Sequence, residues 1–272
     1  MKTLGMVILL VLWTPMTAST PEYLNTLLAQ YSTQDPPDSR PFVTLTFAQS
    51  LDGKIAGKAG KQLALSGHES LVMTHWLRTL HDAILVGSGT ALNDDPQLNT
   101  RHLPPPPSGS LPHRAPRPVV LDNRLRLSLT CKLLKNYANG TGLQPSVVSS
   151  ASSNDRDEEW HARRVALESA GAKVLLVPIS ATCPPLSAML AVLRREGIRT
   201  LMVEGGAQII TSFFRACDSS VDRILITTAP LIVGALGVGY EVPDDNMSAS
   251  FHAVETRMEG RDSVVALAPR LS

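Results

Sequence analysis

The sequence has few aromatic residues, few cysteines and no excess of charge of either sign. Aromatic residues make up 4% of the 272 residues, so the stacking surfaces that bind single-stranded nucleic acids are not expected. Lys and Arg together number 25, against 24 Asp and Glu, which gives a net charge of +1. This balance argues against a general polyanion binder, so no nucleic-acid partner is expected and any phosphate recognition must be local.

The cysteines and histidines do not form any familiar metal or disulfide pattern. Cys131, Cys183 and Cys217 are far apart and odd in number, so they make neither a CxxC pair nor a complete disulfide framework. The seven histidines have no H-x-x-x-H or H-E-x-x-H spacing, and no metal site is expected. Buried, reduced thiols in a cytosolic protein are the simplest interpretation.

No apolar run reaches the roughly 20 residues of a membrane span, and no membrane association is expected. The nearest is residues 4–13, with Lys2 before it and small residues at 17–19, which is the layout of a secretory signal. Two interpretations stay open: a secreted protein, or a cytoplasmic protein with an apolar leader. The unpaired cysteines favour the cytoplasm. We expect residues 1–40 to be an N-terminal extension and residues 41–272 to form one domain.

From residue 41 onwards, short apolar runs alternate with helical patterns, which predicts an α/β domain with a mostly parallel sheet. Strands are predicted at 41–47, 83–86, 118–122, 146–149, 174–177, 200–203, 222–228 and, as an edge strand, 263–268. Helices are predicted at 23–31, 66–81, 157–170, 185–196 and 207–217. Ser66 and Glu69 have the spacing of a capping box at the start of the second helix. Seven prolines in residues 101–118 predict a long irregular loop, interpreted as a disordered insertion.

Two predicted strands run into small residues, and parallel sheets bind ligands at the carboxyl ends of their strands. The strand ending at Gly87 is followed by Thr90 and Asp94, and the strand ending at Glu204 is followed by Gly205 and Gly206. N–H groups at a helix start favour a phosphate, so the second turn suits a dinucleotide. Each turn could also be purely structural, because neither G-x-G-x-x-G nor a P-loop is present.

Longer stretches of the sequence resemble the fungal riboflavin-pathway reductases. These are similar to the C-terminal reductase domain of the bacterial bifunctional riboflavin deaminase/reductase. The resemblance covers about residues 40–268 and rests on FVTLTFAQSLDGKIA at 42–56, MTHWLR at 73–78, HDAILVGSGTALNDDPQLNTRHL at 81–103, PRPVVLDNRLRL at 116–127 and MVEGGAQ at 202–208. The zinc-deaminase signature is absent, so only the reductase half is expected.

The resemblance implies a dihydrofolate-reductase-like fold, a homodimer and the cofactor NADPH. It implies reduction of the ribosyl side chain of 2,5-diamino-6-(5-phosphoribosylamino)pyrimidin-4(3H)-one to the ribityl form. The implied NADPH contacts are Thr90, Asp94, Asn123, Gly205, Gly206, Ala207, Gln208 and Ile209. The implied substrate contacts are Arg78, Leu98, Arg101 and Glu204, with the arginines on the 5′-phosphate side.

The resemblance does not fix a catalytic residue, and Asp52 and Glu204 are the candidate proton donors. Gln62 and Ala64 stand where the bacterial pattern has a small hydroxyl residue and an aromatic one. Two other functions stay open: a dihydrofolate reductase, and a ligand-binding protein that has kept the fold without the activity. The arginine pair favours a phosphorylated substrate, and the intact glycine turns favour an active enzyme.

Overall fold

The computed structural model describes residues 19–149, 156–177, 186–216, 220–242 and 250–270, which form one sheet flanked by helices. The strands are β1 (Phe42–Ser50), β2 (Ala83–Gly87), β3 (Arg117–Leu121), β4 (Ser146–Ser149), β5 (Lys173–Leu176), β6 (Thr200–Glu204), β7 (Arg223–Ala229), β8 (Phe251–Glu259) and β9 (Asp262–Pro269). The helices are α1 (Glu22–Leu27), α2 (Ala29–Thr33), α3 (His68–Thr79), α4 (Ser88–Asp94), α5 (Lys132–Ala138), α6 (Glu158–Ser169), α7 (Leu186–Arg195) and α8 (Ala207–Arg215).

The strand order across the sheet is β5-β4-β3-β2-β6-β1-β7-β9-β8. All neighbours from β5 to β7 are parallel, whereas β9 runs antiparallel to both β7 and β8. The predicted mostly parallel sheet with flanking helices is therefore confirmed. Strand β6 lies between β1 and β2, so three carboxyl ends that are distant in sequence meet at the centre of one edge.

Helices cover both faces of the central strands, which explains why these strands read as continuous apolar runs. One face packs against α3, α5 and α6 and includes Trp76 and Trp160. The other packs against α7 and α8 and includes Leu190 and Phe213. Within β1, Val43 and Leu45 are both fully buried on the second face.

Residues before the predicted domain boundary at Pro41 are part of the packed core. Leu24 of α1 is completely buried, and Tyr31 of α2 stacks on Phe42 with a ring separation of 4.8 Å. The Tyr31 hydroxyl lies 3.0 Å from Thr44 Oγ1, which also contacts His81 Nε2 at 2.8 Å. Because these contacts are buried, the folded body extends back to about Glu22. Residues 1–18, the signal-like part, lie outside the described residues.

Helix α3 forms where it is predicted, but the predicted capping box is wrong. Its N-cap is Gly67, and no side chain of the helix's own N-terminal segment caps it. Instead, the buried Asp262 carboxylate of β9 accepts hydrogen bonds from the Gly67 N–H, at 2.6 Å, and from the Ser70 hydroxyl. A carboxylate brought by the tertiary fold thus takes the role expected of Ser66 and Glu69.

The last predicted strand is present as β9, but its assignment to the sheet edge is wrong. The edge strand is β8. It was not predicted from the sequence, because five of its nine residues are exposed and its composition is largely charged and polar. Helices α4 and α5 were also missed. Both are only seven residues long and have too few turns to show an apolar stripe.

The proline-rich segment has no regular structure between residues 101 and 116, as predicted, but it is not a detached insertion. The His113 ring packs edge-on against Trp76 at 5.0 Å, and its Nε2 contacts the Pro104 carbonyl at 2.7 Å. Arg114 forms an ion pair with Asp82. These contacts hold the loop against α3 and the start of β2.

Among the described residues, none of the helices has the length and apolar character that crossing a bilayer requires. Cys131 is a buried free thiol whose pKa is raised by burial. Cys183 and Cys217 lie outside the described ranges, as does the predicted start of α7 at Pro185.

Candidate active site

A cavity of about 1410 Å³ opens at the carboxyl ends of the central strands. It is lined by residues that follow β2, β3 and β6, by the middle of β1 and by the segment 55–66. This is the position at which an open parallel sheet binds its ligands, since the strand order reverses direction there. The volume is large enough for two small molecules.

The two small-residue turns predicted from the sequence are in direct contact at this edge. A Cβ atom added to Gly205 would lie 2.5 Å from Ile209 Cγ2, and one added to Gly87 would lie 2.9 Å from Ile209 Cγ1. A Cβ atom on Gly206 would lie 3.4 Å from Thr90 Oγ1. Glycine is therefore required at the first two positions to bring the β2–α4 and β6–α8 turns together.

Helix α8 directs unpaired N–H groups at the cavity. Gly206 is its N-cap, and its first helical hydrogen bond runs from the Ile210 N–H to the Gly206 carbonyl at 3.0 Å. The N–H groups of residues 207–209 thus have no helical acceptor. Ala207, Gln208 and Ile209 all line the cavity, so this end suits an anionic group such as a pyrophosphate.

Thr90 and Asp94 lie on α4, not in the open turn that the sequence suggested. Their four-residue spacing puts both on one face of the helix, and both line the cavity. Burial raises the pKa of Asp94. The two residues lie opposite the α8 turn and provide a hydroxyl and a carboxyl group to the same ligand space.

Arg78 and Glu204 form a two-pronged ion pair on the cavity wall. Arg78 Nε donates to Glu204 Oε1 at 2.8 Å, and Nη2 donates to Oε2 at 2.7 Å. Arg78 Nη1 also donates to the Asn99 carbonyl at 2.9 Å. Burial and the nearby Arg78 charge lower the pKa of His75 to about 3, so this histidine is neutral behind the pair.

The other two predicted substrate contacts do not line the cavity. Leu98 is buried in the core with a φ of 49°, where it fixes the loop that follows α4. Arg101 is exposed, and its Nη1 donates to the Asn99 side chain at 3.2 Å. Asn99 therefore links Arg101 to Arg78. Asn99 was not predicted from the sequence, since its main contact is made by a backbone carbonyl that no residue pattern reveals.

Of the two candidate proton donors, the cavity wall includes Glu204 but not Asp52. The Asp52 carboxylate accepts hydrogen bonds from the Ser50 hydroxyl at 2.6 Å and from the N–H groups of Val233 and Gly234 at 3.0 and 2.7 Å. These bonds lower the pKa of Asp52 to about 2. The carboxyl group is ionised at neutral pH and fixes the loop after β7 to the β1 turn.

Asn123 lines the cavity beyond β3, together with two residues that the sequence analysis passed over, Arg124 and Arg126. The Asn123 carbonyl accepts hydrogen bonds from Trp160 Nε1 and Ser149 Oγ, each at 3.0 Å. The repeated arginines of the LDNRLRL segment were a signal for this basic end. Within the described ranges, His, Cys, Asp and Glu side chains make no group of three that could hold a metal ion.

A family model described as the RibD C-terminal domain matches residues 41–265. The chain belongs to this family. A protein of Candida glabrata named 2,5-diamino-6-ribosylamino-4(3H)-pyrimidinone 5′-phosphate reductase is 32% identical over 76% of this chain and 82% of its own length. The protein of the same name from Saccharomyces cerevisiae is 32% identical, over 85% of this chain and 88% of its own.

Solved structures share the fold. The riboflavin biosynthesis reductase Rib7 of Saccharomyces cerevisiae matches with a TM-score of 0.67 at 26% identity, over 91% of this chain and 99% of its own. RibD of Acinetobacter baumannii matches with a TM-score of 0.68 at 23% identity, over 92% of this chain and 62% of its own. The family predicted from the sequence motifs is confirmed.

Proposed function

We propose that this protein is an NADPH-dependent reductase that converts the ribosylamino side chain of 2,5-diamino-6-(5-phosphoribosylamino)pyrimidin-4(3H)-one into a ribitylamino side chain. The fungal relatives carry the name of a reductase acting on this compound. The observation that carries the proposal is the Arg78–Glu204 ion pair, whose carboxylate residue directly precedes the Gly205–Gly206 turn and lines the same cavity. The same cavity therefore contains an arginine suited to a phosphorylated substrate and a glycine turn suited to a dinucleotide.

The cavity fits a dinucleotide cofactor on structural grounds. The α8 N-terminus offers N–H groups for the pyrophosphate, and Gly205 leaves room that a Cβ atom would fill. Thr90, Asp94 and Asn123 line the same space and would contact the riboses and the amide. When bound, the reduced nicotinamide of NADPH supplies a hydride.

The arginines suit the 5′-phosphate of the substrate. Arg101 lies outside the cavity lining, and Asn99 links it to Arg78 on the cavity wall. Partial desolvation and the positive charge of Arg78 lower the pKa of Arg101, as expected where two guanidinium groups lie near each other. A phosphate dianion would relieve this repulsion. We infer that Arg101 binds the phosphate and that Glu204, held by Arg78, accepts hydrogen bonds from the polar hydrogens of the substrate.

Reduction adds a hydride to the sugar carbon and a proton to the attached nitrogen of the ring-opened, imine-like substrate. Asp52 is ionised and lies off the cavity wall, so we assign it a structural role. Both Glu204 oxygens already accept hydrogen bonds from Arg78, so we assign Glu204 to substrate orientation. Catalysis then depends mainly on holding the two reactants in register.

The test is NADPH oxidation by the purified full chain, with the ribosylaminopyrimidine phosphate or dihydrofolate as the second substrate. We expect turnover with the pyrimidine alone, and a product two hydrogen atoms heavier by mass spectrometry. Glu204→Gln should lower kcat/KM, whereas the exposed Glu159→Gln is the matched control and should not. Turnover of dihydrofolate, or of neither compound, would contradict the proposal.

We also propose a homodimer that works in the cytoplasm. Leu51, Ile232 and Leu236 are exposed apolar residues in the segments that follow β1 and β7. The Leu51 N–H donates to the Leu231 carbonyl, so these two segments lie side by side. A patch of this kind is typical of a contact surface. The phosphorylated substrate and NADPH are cytosolic solutes. Light scattering tests the dimer, and N-terminal sequencing of protein from fractionated cells tests the compartment.

A further inference from the structure

Arg124 lies at the end of the cavity beyond β3 and has no partner among the described residues. Arg124 lines the cavity, and its guanidinium makes no hydrogen bond or ion pair with any residue that the structure describes. The neighbouring Arg126 is engaged, since its Nε lies 3.5 Å from Asp122 Oδ1 and its Nη2 donates to Ser88 Oγ at 3.3 Å. As far as the described residues show, Arg124 keeps its full set of donors for a ligand, whereas Arg126 does not.

The backbone that carries Arg124 is fixed on both sides. The Asp122 carboxylate accepts hydrogen bonds from the N–H groups of Arg126 and Leu127. Leu125 has a φ of 51°, and its side chain is 1% exposed, so it anchors the turn in the core. The Asn123 carbonyl accepts hydrogen bonds from Trp160 Nε1 and Ser149 Oγ. The turn therefore presents Arg124 from a rigid support, and binding requires little reordering of the loop.

The surroundings of Arg124 identify which part of a dinucleotide lies near it. The sheet order places β3 two strands from β6 and three from β1, at about 4.8 Å per strand. An apolar wall formed by Leu121, Val148, Val177 and Met189 continues the cavity on this side. A flat, mostly apolar ring fits this wall, whereas the polar Arg78–Glu204 end suits the substrate. With a pyrophosphate on α8 in between, the adenosine half of a bound dinucleotide would lie beside Arg124.

We propose that Arg124 binds the 2′-phosphate of the adenosine ribose and so determines the preference for NADPH over NADH. This inference rests on the function proposed above and adds the residue that selects the cofactor. A guanidinium binds a phosphate through two parallel hydrogen bonds, and NADH offers no phosphate at this position. Arg124 therefore strengthens the binding of NADPH and not that of NADH.

The decisive experiment measures binding of two probes by calorimetry, adenosine 2′,5′-bisphosphate and adenosine 5′-monophosphate, which differ by the 2′-phosphate alone. The wild-type chain should bind the bisphosphate more tightly. Arg124→Gln should weaken binding of the bisphosphate roughly 10- to 100-fold and that of the monophosphate by less than about twofold. Arg164→Gln, at a half-buried arginine outside the cavity lining, is the control and should change neither affinity.

Kinetics with NADPH and NADH provide the second readout. Arg124→Gln should raise KM for NADPH and leave KM for NADH unchanged, and Arg124→Lys should restore part of the preference. Equal losses for both cofactors, no loss for either, or the selective loss in Arg126→Gln instead would overturn the assignment. Absence of nucleotide binding and turnover in the wild-type chain would contradict the proposed function itself. An unaltered NADPH preference in an active Arg124→Gln variant defeats the inference alone.

Discussion

Replacing Gly205 with alanine should damage the cofactor site through a single added carbon. The new Cβ atom would lie 2.5 Å from Ile209 Cγ2 and 2.6 Å from Ile209 Cβ, closer than packed carbon atoms approach. Ile209 cannot move aside by changing its rotamer, because its own Cβ is one of the atoms in conflict. The β6–α8 turn must therefore shift, and the N–H groups of residues 207–209 shift with it.

The size of the effect follows from the cost of overpacking, about 1–3 kcal/mol. For a chain of this size, Tm should fall by roughly 2–4 °C for each kcal/mol. The misplaced N–H groups should raise Kd for NADPH by about tenfold or more, since each 1.4 kcal/mol corresponds to a factor of ten. Thermal unfolding and fluorescence titration with NADPH measure the two quantities on the same preparations.

Gly89 provides the matched control, since a Cβ atom there would meet nothing within 4 Å although the residue lies in the same cavity wall. Gly89→Ala should leave Tm and NADPH affinity close to wild type. If Gly205→Ala binds NADPH as tightly as Gly89→Ala does, the close contact between the two turns is not needed to form the cofactor site, and the argument fails.

Three further predictions concern other parts of the molecule. Asp94→Ala should raise Kd for NADPH, whereas Arg101→Ala should mainly raise KM for the phosphorylated substrate. Each change should correspond to a loss of roughly 1.5–3 kcal/mol of binding free energy. If each variant lost affinity for NADPH and for the substrate equally, this division of roles would be wrong. Asp262→Ala should lower the free energy of unfolding, measured with urea, by about 1–3 kcal/mol, because the N-terminus of α3 loses its acceptor. Asp38→Ala, at an exposed residue, should leave the free energy of unfolding unchanged. Burial lowers the pKa of His81 to about 4. In the unfolded chain His81 becomes protonated below about pH 6.5, whereas in the folded chain it stays neutral down to about pH 4. Stability should therefore fall as pH drops through this window, and the slope should be shallower in His81→Gln; an unchanged slope would show that His81 does not contribute.

The strands at the centre of the sheet could be predicted from the sequence because each is buried on both faces. An unbroken apolar run such as Ala83–Val86 has few alternatives to a parallel strand. Strand β8 carries no such pattern, because its neighbours cover only part of it and charged side chains face the solvent. The capping of α3 was mispredicted for a different reason: Asp262 is distant in sequence, and no local spacing reveals that it will reach Gly67.

The same distinction applies to the site. The glycine turns could be recognised because close backbone contact restricts the residue type at Gly87 and Gly205. The pairing of Arg78 with Glu204 joins residues 126 positions apart, and it depends on β6 lying between β1 and β2. The sequence motifs indicated both Arg78 and Glu204 as site residues. Their ion pair could be recognised only from the fold.

The strand order also has a consequence for how the chain acquires its structure during synthesis. Both neighbours of β1 in the sheet, β6 and β7, come from residues 200–229. While the ribosome is still adding the intervening 150 residues or so, Phe42–Ser50 has neither of the strands it will pair with. An apolar strand with two open edges is a site for wrong association, and long-range parallel pairing is slow to form. The ligand-binding edge can assemble only after nearly the whole chain has emerged, so production of this protein should depend strongly on chaperone capacity and on the rate of translation.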